Sequence, residues 1–382
     1  MKDIGIYVHI PFCKSKCNYC DFTSFQNKDN KISEYIACLK KEIESKSDDE
    51  YFVKTIYIGG GTPSYINSQY IEEILQTIET SFKVYEKCEI SIEVNPGSAD
   101  EKKLEEYFNS GINRLSIGMQ SGNDNILKTI GRIHTYSDFK TTVINAKKVG
   151  FTNLNADIII GLPNQTIYDV ENTIDSLLEL DLKHISVYSL IVEENTKLEK
   201  MLNNKELKLP DEEIERYMYW FAKRKLEGKG YNHYEISNFA KPGYCSKHNL
   251  DCWNQKEYLG FGVSASSYEN AVRYTNTNCI ETYIRNILEN NNYKNIKIEE
   301  KQDKQAKMNE YMMLGLRKIS GVSINEFRTK FDRNPIQLYK EILTKLLQEN
   351  LIIVDTNCIK LSKKGIDLAN LVWEEFVWNH WL

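Results

Sequence analysis

Nowhere in this chain do 18 apolar residues follow one another, so the sequence offers no helix that would span a bilayer. It has no basic excess either. Its 49 lysines and arginines face 54 aspartates and glutamates, a formal net charge of −5, which argues against a general nucleic-acid binder. Met1 to Gly5 run straight into an apolar stretch, so no leader peptide is expected. The turn Gly59-Gly60-Gly61-Thr62-Pro63 lacks the Gly-Lys-Ser or Gly-Lys-Thr of a nucleotide-binding P-loop. What is present, 382 residues at 41% hydrophobic and 27% charged, is ordinary globular composition, enough for one large domain or one large and one small. Nine cysteines, an odd number with three clustered, suit a reducing compartment, and the expected location is the cytoplasm.

The three clustered cysteines, Cys13, Cys17 and Cys20, follow a short apolar strand in the spacing CxxxCxxC. Three thiolates within eight residues can converge on one metal centre. Zinc wants four protein ligands, and no His or Cys follows within the next dozen residues. A [4Fe–4S] cluster can take three thiolates and leave one iron open to a small molecule, and soft thiolates favour Fe–S clusters and zinc over hard cations. Structural or disulfide-forming cysteines are the alternative.

Strand-like and helix-like segments alternate through the first two-thirds of the chain, which predicts βα units in parallel pairing. The expected strands are 4–10, 55–59, 89–95, 114–120, 155–162 and 184–190, with helices such as 68–82 and 166–180 between them. An incomplete (β/α)6 barrel and an open doubly wound sheet both fit this alternation. The strands also alternate in polarity. Ile90, Ile92 and Val94 oppose Ser91, Glu93 and Asn95; Leu115, Ile117 and Met119 oppose Ser116, Gly118 and Gln120; Ile6, Val8 and Ile10 oppose Tyr7 and His9. Parallel strands buried on both faces read apolar throughout, so the period of two predicts outer helices on the apolar faces and a polar, ligand-holding lumen.

Further on, 193–210 reads as a loop or short helix, 211–229 as a helix, and 231–240 as one more strand ending in a turn at Lys241-Pro242-Gly243. The polar run 290–303 reads as a linker, dividing the chain into 1–290 and 291–382. Helices at 308–319, 323–330 and 335–349, a hairpin from 351 to 361 and a last helix at 364–378 suggest a winged-helix-like α+β domain. The helix 335–349 sets Lys340 and Lys345 against Glu341 and Glu349, which is no basic stripe, so DNA binding is not expected.

With the aromatic Tyr19 just before its third cysteine, the CxxxCxxC loop resembles that of the radical S-adenosylmethionine (SAM) enzymes. That resemblance implies a [4Fe–4S] cluster on Cys13, Cys17 and Cys20, SAM chelating the open iron, and an incomplete (β/α)6 TIM-like barrel. The segments YVHIPFC, GGGTP and YEISNFAKPG narrow it to the oxygen-independent coproporphyrinogen III oxidase family, over nearly the whole chain. Position by position, the resemblance implies SAM contacts at Tyr7, Tyr19, Gly60, Gly61, Thr62, Glu93, Gln120, Arg132 and Asp157.

The family has two branches, the oxidase and a heme chaperone. The oxidase branch carries a fourth cysteine two residues after the third, where this chain has Phe22, and a substantial N-terminal extension, where this chain has six residues before Tyr7. Both departures point to the chaperone branch, which binds heme and delivers it to a recipient hemoprotein such as a membrane-associated respiratory enzyme. They weigh against the enzymatic alternatives, oxidative decarboxylation of coproporphyrinogen III or radical SAM chemistry on another substrate. His248-Asn249-Leu250-Asp251-Cys252-Trp253 resembles the branch's HNxxYW motif with Cys252 in place of the tyrosine. His248 and Cys252 are candidate heme ligands, against a plain packing role for the segment. Cys38, Cys88, Cys279 and Cys358 read as small buried hydrophobes, and a homodimer is left open.

Overall fold

The computed structural model describes residues 1–290 and 296–377. Its first six strands are β1 (Lys2–Ile10), β2 (Tyr51–Gly60), β3 (Lys83–Val94), β4 (Arg114–Gln120), β5 (Asn153–Ile160) and β6 (His184–Ser189). Between them run α1 (Ile32–Ser45), α2 (Ser68–Ser81), α3 (Glu101–Asn109), α4 (Asp124–Thr129), α5 (Tyr136–Val149) and α6 (Ile167–Glu179). The six strands pair in parallel and in chain order. A doubly wound sheet reverses its order at a switch point. Sequential order without reversal is that of a barrel wall, which decides between the two folds the sequence allowed.

The wall stays open and is extended at both ends. After α7 (Lys197–Asn203) and α8 (Glu212–Glu227) come β7 (Asn232–Glu235) and β8 (Asn238–Ala240), and β8 pairs antiparallel with β6. After α9 (Lys247–Trp253), β9 (Tyr258–Phe261) pairs parallel with β1 on its other side. Antiparallel β10 (Ser266–Glu269), β11 (Val272–Asn276) and, beyond α10 (Ile280–Asn290), β12 (Ile296–Lys301) complete a twelve-stranded sheet.

The alternation in the strands does what its period requires. Ile56, Ile58, Ile92, Leu115 and Ile117 are fully buried among the helices, each worth about 1.5–3 kcal/mol of burial. Glu93, Ser116, Gly118 and Gln120 face a cavity on the opposite side. A slip of one residue would push Glu93 into the apolar layer, so register and site are fixed together. The helices supply the complementary stripe, as with Tyr35, Ile36, Leu39 and Ile43 on α1. α5 and α6 start on capping boxes, Thr135 with Asp138 and Thr166 with Asp169.

The chain then forms α11 (Lys304–Gly315), β13 (Val322–Ser323), α12 (Ile324–Phe331), α13 (Pro335–Leu338), α14 (Lys340–Gln348), β14 (Ile352–Val354), β15 (Cys358–Leu361), α15 (Lys363–Asp367) and α16 (Ala369–Val377). Helices on a small sheet of order β13-β15-β14 give the expected winged-helix-like arrangement, with its own core around Met312, Phe327, Leu346, Ile359 and Phe376.

Four expectations are corrected. The strand expected over 231–240 is two antiparallel strands, because Ile236 and Ser237 turn the chain and the Ser237 amide donates to Glu235 Oε1 at 3.0 Å. Residues 296–301, expected as linker, form the edge strand β12; its Lys297, Glu299, Glu300 and Lys301 are the charged covering that edge strands carry, and they read as linker in sequence. Of the rest of that linker, Asn290 ends α10, Gln302 and Asp303 connect β12 to the next helix, and 291–295 lie outside the described residues. The helix expected over 335–349 breaks at Tyr339, and the last helix breaks at Leu368, with Trp378 outside the described residues.

Candidate functional site

The cysteine loop leaves β1 at Ile10 and is tied down on both sides. Cys13 N donates to Phe25 O at 3.0 Å and Phe25 N to Pro11 O at 2.7 Å. Asn18 anchors the middle, donating from its amide to Ile130 O and from its side chain to Thr129 O, each at 2.9 Å, beside the end of α4. Cys13, Cys17 and Cys20 are free thiols, and all three line a cavity of about 340 Å³ over the C-terminal ends of the parallel strands. Burial pushes the thiols of Cys13 and Cys20 up, the latter to about 11; a bound iron would displace those protons. The thiols share a wall without meeting at a point, for among the described residues no three His, Cys, Asp or Glu side chains are gathered to hold a metal ion.

The glycine turn closes over this loop. Gly61 N donates to Ile10 O and Thr62 N to Phe12 O, both at 2.9 Å, and Thr62 Oγ1 lies 3.4 Å from Cys13 Sγ. A Cβ on Gly61 would stand 2.9 Å from Cys13 Sγ and 3.0 Å from Phe12 O, so the turn fits the loop only as glycine. Gly60 is constrained differently: its φ is +117° and a Cβ would stand 2.7 Å from the His9 ring.

Strand ends supply the remaining groups, as barrel sites do. Glu93 accepts the Tyr57 hydroxyl at 3.0 Å and the Gly60 amide at 3.1 Å. Burial, and then repulsion from Asp157, pushes its carboxyl up to about 7. Asp157 accepts from Ser116 Oγ at 2.9 Å and Asn155 Nδ2 at 2.8 Å. Arg132 donates to Asn95 Oδ1 at 2.9 Å, Gly118 O at 2.8 Å and Cys17 Sγ at 3.4 Å. Gln120 ends β4 with φ at +65°, a conformation rare outside glycine and turned to use at a site.

Thus Cys13, Cys17, Cys20, Tyr19, Gly60, Gly61, Thr62, Glu93, Gln120, Arg132 and Asp157 line one cavity, and Tyr7 does not. Tyr7 lines an adjoining cavity of about 500 Å³ with His9, Phe22, Gly60, Glu93, His248, Cys252 and Tyr258. Phe22, 61% exposed, and Gly60 and Glu93 belong to both walls. The sequence reading missed Tyr57 and Tyr188, which also line the first cavity. The period of two that marked Glu93 marks them as well, since Tyr57 lies between buried Ile56 and Ile58 and Tyr188 follows buried Val187.

In the second cavity His248 and Cys252, one turn apart, share a face of α9. The helix is seated by Glu89, whose Oε1 accepts the Lys247 and His248 amides at 2.9 and 3.1 Å. His248 Nδ1 lies 2.9 Å from Thr55 Oγ1, and its ring stacks on Tyr57 with centroids 5.4 Å apart. Burial pulls the His248 imidazole down to about 4 and pushes the Cys252 thiol up to about 12, so the one is neutral and the other protonated at pH 7.

The radical SAM superfamily profile matches residues 7–177, and the HemN C-terminal domain profile matches residues 302–368. The chain is 38% identical to the heme chaperone HemW of Lactococcus lactis over 98% of both chains. It is 36% identical to the heme chaperone HemW of Bacillus subtilis, over 97% of this chain and 98% of that one. Its fold is that of the coproporphyrinogen III oxidase HemN of Escherichia coli, a radical SAM enzyme, with a TM-score of 0.85 at 22% identity over 98% of this chain and 90% of the other. A radical SAM domain implies a [4Fe–4S] cluster and SAM. Three free thiols, a glycine cradle against Cys13 and a lumen lined by Glu93, Asp157 and Arg132 fit both groups. The chain belongs to the radical SAM superfamily and, within it, to the HemW family.

Proposed function

We propose that this protein is a heme chaperone that carries a [4Fe–4S] cluster and SAM, binds heme beside them, and delivers it to a recipient hemoprotein. The observation that carries the reading is the pair of adjoining cavities. One gathers the three thiols and the polar strand ends; the other presents His248 and Cys252 from α9, and the two share Phe22, Gly60 and Glu93. Cys13, Cys17 and Cys20 would hold the cluster. Gly60 to Thr62, Glu93, Gln120, Arg132, Asp157 and Tyr19 would hold SAM, with Tyr7 acting from the far side of Glu93. When bound, the reduced cluster and SAM would supply radical chemistry.

Heme belongs in the second, larger cavity. A neutral imidazole is a competent iron ligand, whereas a thiol must first lose a proton that burial holds firmly at Cys252. His248 is therefore the axial ligand we assign, through Nε2, since Nδ1 is engaged with Thr55. Phe22 offers an exposed ring at the rim where an oxidase would carry a further cysteine. Among the described residues no helix is long and apolar enough to cross a membrane; we take the protein to act in the cytoplasm, on recipients that include membrane-associated respiratory enzymes. We divide the chain into a barrel unit and a C-terminal unit, counting β12 in the first because it pairs with β11.

The test is a heme titration of the Cys13→Ala/Cys17→Ala/Cys20→Ala variant. It should lack iron and sulfide yet bind one heme per chain. Loss of heme binding together with the cluster would show that the two sites are one, against this proposal.

A further inference from the structure

The C-terminal domain meets α9, the helix that presents His248 and Cys252 to the second cavity, at the helix's last turn. Arg317, in the segment after α11, lies between two indoles. Its guanidinium carbon is 4.3 Å from the centroid of Trp253, the last residue of α9, and 4.6 Å from that of Trp373 on α16. The backbone holds it there from both sides, since Ile236 N donates to Arg317 O and Ile319 N to Tyr234 O, each at 3.1 Å. The residues next to Trp253 are gripped from the same domain: Lys318 donates to Asn254 Oδ1, and Gln255 Nε2 donates to Lys307 O at 3.0 Å and Glu310 Oε2 at 2.8 Å. The opposite end of α9 is seated on the barrel through Glu89 and Thr55.

α9 is thus a strut with its first turn fixed to the barrel and its last turn fixed to the C-terminal domain. We propose that Arg317 is a positioning residue for the heme site: by stacking on Trp253 it fixes the setting of α9, and with it the direction in which His248 and Cys252 face the cavity. A planar guanidinium suits this task because it stacks on both indoles at once, which an ammonium cannot do. The C-terminal domain is by this argument part of the heme-binding machinery. The inference rests on the heme reading above only for its second readout.

The experiment uses the cluster-loaded full chain as wild type, Arg317→Ala, Arg317→Lys and Trp373→Leu. The first readout is hydrogen exchange of the 248–253 amides without heme; the second is heme titration followed by the Soret band. Arg317→Ala should speed exchange in α9 by about twofold to thirtyfold, the span of one cation–π contact, with β1 to β4 unchanged. It should also weaken heme binding and shift the Soret maximum, and Arg317→Lys should recover only part of either effect. Trp373→Leu, which removes one face of the stack, should act in the same direction and carries the test should Arg317→Ala not fold. Exchange in α9 at the wild-type rate, exchange raised equally throughout the barrel, or full rescue by lysine would each overturn the proposal. A wild-type protein that takes up no heme would refute the functional reading, while the exchange readout would still decide the role of Arg317.

Discussion

The guanidinium of Arg132 rests against the sulfur of Cys17, with Nη1 3.4 Å from Sγ. The same side chain reaches Asn95 and the Gly118 carbonyl with its other nitrogen, so it is fixed and not a passing contact. A hydrogen bond and a positive charge at a ligating sulfur both favour the reduced, more negative cluster. Arg132→Gln should therefore lower the reduction potential of the reconstituted cluster while its iron content stays near four. Redox titration followed by EPR measures this; an unchanged or raised potential would mean that Arg132 serves the fold alone.

Gly61 and Gly60 should fail in different ways. A Cβ on Gly61 meets Cys13 Sγ, so Gly61→Ala should yield folded protein with at most about half the wild-type iron after reconstitution. Gly60 meets the His9 ring in a left-handed backbone, so Gly60→Ala should lower stability by about 1–2 kcal/mol or more. Iron assay and thermal melts separate the two; equal iron in Gly61→Ala and wild type would contradict the packing argument.

Glu93 gives a pH signature. Its carboxyl, pushed up to about 7 by burial and by Asp157, is ionised in the folded protein only above neutral pH, whereas in the unfolded chain it ionises near 4.5. The folded state thus holds the proton more tightly, and this group's contribution to stability falls as pH rises from about 4.5 through 7. Without ligands, Glu93→Gln should raise Tm at pH 8 and change it little at pH 4. If SAM binds the carboxylate, its affinity should rise between pH 6 and 8 in wild type and stay flat in Glu93→Gln. A SAM affinity independent of pH in wild type would remove Glu93 from the site.

Much of this was legible in the sequence, because the strands that carry the site obey a simple period. Ile90 to Asn95 and Leu115 to Gln120 alternate apolar and polar residues, and the second set, all but the buried Ser91, lines the cavity. The cysteine loop and glycine turn were legible because their chemistry tolerates few substitutes. What was not legible has local causes. β9 to β11 are four or five residues long, with a Tyr in each, and too short to show a period. β12 carries the charges of an exposed edge. Tyr7 shares the polar face of β1 with His9, but which of two adjoining cavities it lines depends on how Gly60 and Glu93 partition the lumen, a matter of tertiary packing. The stacking of Arg317 on Trp253 joins residues far apart in the chain and has no sequence signal at all.

The two candidate heme ligands should behave oppositely. His248→Ala should weaken heme binding by about tenfold or more and move the Soret band, as expected on losing an axial ligand. Cys252→Ala should leave the spectrum of the ferric complex unchanged, because the buried thiol is protonated at pH 7. A spectrum altered by Cys252→Ala and untouched by His248→Ala would reverse the assignment.

The protein is expected to carry heme and not to make its precursor. Anaerobically reconstituted protein is supplied with heme in one sample and with coproporphyrinogen III, SAM and a reductant in another, and both heme uptake and porphyrin products are quantified. One heme per chain and no protoporphyrinogen are expected. Protoporphyrinogen formed by a protein that takes up no heme would contradict it.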